Sequence, residues 1–185
     1  MPLQAPTKEL SPAEIKKYYE EIGVDSQLPD GVYIGKVMEK KGSHPAARYN
    51  QKNNLPELFF IIKVTEGPRV GATEMVTCRW FSAPNDQDGK PKDEKRLEQA
   101  NGFLRRQTRD VLYAFYGKSK ETDALIAANL PTEVSADNVY EVFKTVADDI
   151  VGQTVKFTRV TKEAKDGTER TNVTFAKADE SGFPA

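Results

Sequence analysis

Along this chain the apolar side chains change spacing, from the two-residue repeat of strands to the helical repeat and back again. That order limits the architectures open to it. Three strand-like runs come first, at Val32–Glu39, Leu58–Glu66 and Met75–Ser82. The second is the strongest: Leu58-Phe59-Phe60-Ile61-Ile62-Lys63-Val64-Thr65 is almost wholly β-branched, aromatic or leucine. A helical region of about 93–149 follows. Leu97, Ala100, Leu104, Val111 and Phe115 form one stripe of a helix from about Asp93 to Tyr116, with Arg105, Arg106 and Arg109 on another side as a solvated face. Two more helices are predicted at Glu121–Asn129 and Ala136–Asp149. Alternation resumes at Gly152–Lys162 and Arg170–Ala178. Near the start, Ser11-Pro12-Ala13-Glu14 carries a capping signature and predicts a short N-terminal helix ending at Gly23. Turn chemistry marks Leu28-Pro29-Asp30-Gly31, Gly67-Pro68 and Asp166-Gly167. Lys40–Asn54 is polar and long for a strand connection, which marks it as a functional or mobile loop.

Three strands, a helical region and two strands is the order of an OB fold. The expected fold is therefore mainly β with a helical elaboration (β+α): a five-stranded OB-type barrel with a helical insert at about 93–149 between strands three and four. A chain of 185 residues suits one such domain over 1–185, with short flexible tails.

The net charge of −1 conceals a segregation. From Lys36 to Lys63 the basic residues Lys36, Lys40, Lys41, Arg48, Lys52 and Lys63 stand against only Glu39 and Glu57. From Glu121 to Asp149 the acids Glu121, Asp123, Glu133, Asp137, Glu141, Asp148 and Asp149 stand against only Lys144. A near-neutral total is thus compatible with one basic face and one acidic face. The one cysteine, Cys78, and the one histidine, His44, exclude an internal disulfide and a cysteine/histidine zinc site, which needs about four ligands. No phosphate-binding glycine loop is present. Asp148-Asp149 could hold magnesium in a nuclease, but no second acidic cluster supports them. The expectation is a protein that is not an enzyme and has no metal or cofactor. With no apolar run of membrane-spanning or signal-peptide length, a reducing cytoplasm is the expected location.

Binding of single strands without sequence preference needs a positive surface for phosphates and flat faces on which bases stack. Lys36, Lys63, Arg79, Lys156 and Arg159 are polar members of otherwise apolar strands. Lys40, Arg48 and Tyr49 lie in the long loop, at a position where OB folds commonly touch their ligand. Trp80 adjoins Arg79, but it shares a face with Cys78, so core and stacking roles compete there. Phe157 and Phe175 read as core. Phe59 and Phe60 point to opposite faces, so one of them needs a cover, and Tyr49 is expected to be exposed.

Leu28-Pro29-Asp30-Gly31-Val32-Tyr33, Val64-Thr65-Glu66-Gly67 with Gly71, Ile150-Val151-Gly152-Gln153-Thr154-Val155-Lys156, and Asp166-Gly167 with Arg170-Thr171-Asn172 resemble the OB-fold single-stranded DNA-binding proteins of bacterial viruses and prophages. The resemblance covers somewhat under half of the chain, and the helical middle has no counterpart in it. It implies single-stranded DNA as the ligand and a role in phage DNA replication, recombination or repair. Asp179-Glu180-Ser181-Gly182-Phe183 is similar to the acidic, aromatic-ended tip with which such proteins recruit partners, although Pro184-Ala185 follows it. The competing expectation is a protein-interaction module on the same barrel, docking through the acidic helical region.

Overall fold

The computed structural model describes residues 28–39, 45–86, 88–164 and 167–178. The N-terminal helix expected from Ser11 to Gly23, the loop residues Lys40 and His44, and the tail from Asp179 lie outside the described residues. Within them the order is β1 (Gly31–Val37), β2 (Ala46–Tyr49), β3 (Pro56–Glu66), β4 (Thr73–Arg79), α1 (Glu94–Tyr116), α2 (Lys120–Asn129), α3 (Ala136–Asp149), β5 (Thr154–Glu163) and β6 (Glu169–Lys177).

The sheet has six antiparallel strands, one more than periodicity predicts. The extra strand, β2, arises inside the segment expected to be a loop. It pairs with the first half of β3, from Ala46↔Phe59 to Tyr49↔Pro56. β1 takes the second half of the same edge, from Gly35↔Val64 to Val37↔Ile62. Four residues of mixed polarity carry too little alternation to be visible without their partner strand.

The strand order is β4-β3-β1-β5-β6, with β2 beside β1 along β3. No ladder joins β4 to β6 among the described residues, so the sheet is open between those edges. It is nonetheless strongly curled. Arg159 on β5 and Glu74 on β4 form an ion pair at 3.1 Å, although β3 and β1 stand between them in the sheet. Only a sheet coiled by its right-handed twist brings such strands together.

The inner face of the curl is the core. Tyr33, Val37, Phe60, Ile62, Val64 and Phe157 are buried there against Val111 and Phe115 of α1 and Val139, Phe143 and Val146 of α3. Tyr33 stacks on Phe157 at 5.1 Å, and Phe60 meets Phe115 edge-on at 5.7 Å. Two glycines permit the close packing. A Cβ on Gly35 would stand 2.3 Å from Ile62 Cγ2 and 2.9 Å from the Lys63 carbonyl oxygen, at a register shift between β1 and β3. Gly67 has φ +126°, and a Cβ there would meet Tyr33 and the Val32 carbonyl oxygen at 2.9 Å.

The helices begin as the sequence implies. Asp93, Ser119 and Ser135 each cap one, accepting from the backbone N–H of Arg96, Thr122 and Asn138. α1 runs through Gly102 without a break. Only its second half is buried, through Thr108, Val111, Leu112, Ala114 and Phe115, while Leu97, Ala100 and Leu104 are half-buried. Among the described residues no helix is long and apolar enough to cross a membrane.

Candidate nucleic-acid interface

Strand alternation places every second residue of β3 on the face away from the core. From one end to the other these are Lys63, Ile61, Phe59 and Glu57. Their neighbours on β4 are Thr73, Met75, Thr77 and Arg79. Lys63 is the cross-strand partner of Lys36 on β1, and both are exposed. Thr73 and Thr154 continue that row, so among the described residues no acid is a cross-strand neighbour of the two lysines. Like charges directly opposite one another are unfavourable in a sheet, and an anion laid across them relieves the repulsion. Lys156 occupies the same face of β5, opposite Ile34, with Glu66 on the other side of Ile34.

Beyond the lysines the face becomes apolar. Ile61 is half-buried and Met75 is exposed. Phe59 is the member of the Phe59-Phe60 pair that needed a cover, and Arg48 supplies it: the guanidinium carbon lies 4.3 Å from the ring centroid. At the far end Glu57 is buried between Arg48 and Arg79, its cross-strand neighbours on either side. Burial pushes the Glu57 carboxyl up, but hydrogen bonds from Asn50, Arg79 and Arg48 outweigh it and hold the group below the usual glutamate range.

Arg79 and Asn50 also line a cleft of about 980 Å³ between the β2–β3 turn, the segment after β4 and the first turns of α1. Lys52 and Lys92 supply further positive charge, and Phe81 and the exposed Phe103 supply aromatic surface. Lys92 Nζ is anchored, donating to Ser82 Oγ at 2.9 Å and to the Ala83 carbonyl oxygen at 2.7 Å. The basic sheet face and this cleft are continuous through Arg79.

Of the residues expected from sequence, Lys36, Lys63, Arg48, Arg79 and Lys156 thus share one face, and Lys40 lies outside the described residues. Three others are placed elsewhere. Trp80 is buried on the inner face with Cys78, so its ring offers no stacking surface. α1 closes over it, with Arg105 Cζ 5.8 Å from the ring and Thr108 Oγ1 donating to the Arg79 carbonyl oxygen at 2.8 Å. Arg105 is accordingly not a member of a solvated face. Tyr49, expected to be exposed, lies against α3: it stacks on Tyr140 at 4.8 Å and donates to Asp137 Oδ1 at 2.8 Å. Arg159 points inward to Glu74, whose carboxyl burial pushes up despite that partner.

Sequence reasoning missed Glu57 and Phe59 as buried members of this face, and Met75 and Phe103 as exposed ones. The alternation of β3 carried a signal for the first two, since Glu57 and Phe59 fall in phase with Lys63. No protein-family model matches the chain, and no curated protein matches it.

Proposed function

We propose that this protein binds single-stranded DNA with little sequence preference, and that it does so on the outer face of β1, β2, β3 and β4. The observation that carries the reading is the order of groups along that face: the Lys36–Lys63 pair, the apolar strip of Ile61 and Met75, the Arg48 guanidinium over the buried Phe59 ring, then Arg79 opening into the Phe81–Phe103 cleft. Cations for phosphates alternate there with surfaces for bases. Arg48 over Phe59 contributes a guanidinium plane, on which bases also stack.

The topology agrees with an OB-type barrel. With β2 set aside, β4-β3-β1-β5-β6 is the order of the third, second, first, fourth and fifth strands of that fold, and the helices enter between the third and fourth. The face formed by its second and third strands is the usual site for oligonucleotides. A role in phage replication, recombination or repair follows from the resemblance in the turn motifs.

The test is fluorescence anisotropy of a labelled oligothymidylate at low and at moderate salt. Binding that weakens steeply with salt is expected; no binding at low salt refutes the reading. A second reading, a protein-interaction module, draws on the edges of β4 and β6, which are unpaired among the described residues. They flank a cleft of about 440 Å³ with Phe103 at its rim. It predicts capture of a protein and no retention of oligonucleotide.

A further inference from the structure

The Arg48–Glu57–Arg79 triad sets one buried carboxylate between two half-exposed guanidinium groups. Glu57 Oε1 accepts from Arg48 Nε at 2.8 Å, and Oε2 accepts from Arg79 Nε at 3.0 Å and from Asn50 Nδ2 at 3.2 Å. Each oxygen therefore directs one arginine, and both arginines reach it through Nε. The carboxylate side chain is 3% exposed, while the arginine side chains are 48% and 46% exposed. A buried anion thus sits beneath two half-exposed cations, although one of them would neutralise it. The surplus is one positive charge, spread over the guanidinium groups of two half-exposed side chains. Their Cα atoms stand two strand spacings apart, about 10 Å, which long side chains leaning toward Glu57 shorten at the tips. Charge-assisted hydrogen bonds from paired guanidinium groups are the strongest contacts available to a phosphate.

We propose that Glu57 is a positioning residue that holds Arg48 and Arg79 as a two-armed clamp for a phosphodiester at the mouth of the Phe81–Phe103 cleft. The proposal rests on the single-stranded DNA reading above and adds a carboxylate that aids the binding of a polyanion. Long-range electrostatics demands the opposite sign: removing an acid from a phosphate-binding face should tighten binding. The pre-organised fork demands weaker binding, because the arginines lose the group that orients them.

The experiment measures oligothymidylate affinity for the wild type and for Glu57→Gln, Arg48→Lys and Arg79→Lys, with circular dichroism and melting curves as the check on folding. Glu57→Gln is expected to bind about tenfold more weakly, and each lysine variant to lose several-fold although its charge is kept. Equal or tighter binding by a folded Glu57→Gln overturns the proposal. If that variant does not fold, the lysine variants decide: losses in both support the clamp, and wild-type affinity in both overturns it. If the wild type binds no oligonucleotide, the DNA reading falls and titration with inorganic phosphate tests the clamp alone. Shifts of the Arg48 and Arg79 Nε–H NMR signals in the wild type but not in Glu57→Gln support it for another phosphate ligand; no shifts overturn it.

Discussion

Glu57 and Cys78 lie on neighbouring strands and titrate in opposite senses, for one reason each. The Glu57 carboxyl is held below its ordinary value by three hydrogen-bond donors that outweigh its burial. A depressed folded-state pKa contributes stability above the unfolded value of about 4.3, and that contribution is lost as pH falls through the folded value. Urea midpoints of the wild type should therefore fall below pH about 4, and Glu57→Gln should show a shallower decline. The Cys78 thiol has no compensating donor, and burial alone pushes it up to about 12. It should react with a thiol-specific reagent no faster than the protein opens, which timed labelling in increasing urea measures. Trp80, two residues on, should emit in the blue, resist iodide quenching and barely respond to oligonucleotide. Trp80→Ala should cost roughly 3–5 kcal/mol, since it empties a site roofed by α1.

At the scale of elements, the junction of β1 and β3 is the most constrained. Adding one methyl at Gly35 drives into Ile62 and the Lys63 backbone, which cannot yield without separating the strands. Gly35→Ala is expected to destabilise the protein and to disturb the Lys36–Lys63 pair next to it. Loss of oligonucleotide affinity along with a lower melting temperature is the expected result. The helix caps are milder positions. Ser135→Ala removes the acceptor for the Asn138 N–H and should cost about 1 kcal/mol, read from the melting temperature. It should leave oligonucleotide binding unchanged, because α3 packs on the inner face of the sheet. α1 divides into two working halves: its C-terminal half closes the core, and its N-terminal half presents Phe103 to the cleft.

Across the described residues the cations of the outer sheet face and the acids of two helices stand apart. The outer face of the sheet carries Lys36, Lys63, Arg48 and Arg79. Glu121, Asp123, Asp137, Glu141, Asp148 and Asp149 are exposed on α2 and α3, while α1 exposes Lys95, Arg96, Arg106 and Arg109. Association with a polyanion should be oriented by that polarity and screened by salt. Each phosphate contact to a single strand contributes about 0.7 to the slope of log affinity against log salt. Replacing Lys36 and Lys63 together by glutamine should thus lower the slope by about 1.4 and leave the melting temperature unchanged or higher, because the variant removes a like-charge pair. An unchanged slope would place the phosphates elsewhere.

Much of this fold was legible along the chain because its signals are local. Five strands and three helices follow from periodicity and turn chemistry, which depend on neighbours a few residues away. β2 did not, since Ala46–Tyr49 becomes a strand only by pairing with β3. Residue type and alternation also determined that Lys36, Lys63 and Arg79 would face away from an apolar strand side. Only the tertiary structure decided which surfaces stay open. It turned Arg159 inward to Glu74, closed α1 over Trp80 and α3 over Tyr49, and set Glu57 between two arginines from strands on either side. Each of those outcomes joins groups distant in sequence, and burial at such a point is set by the curl of the sheet and the docking of helices, neither of which a local pattern encodes.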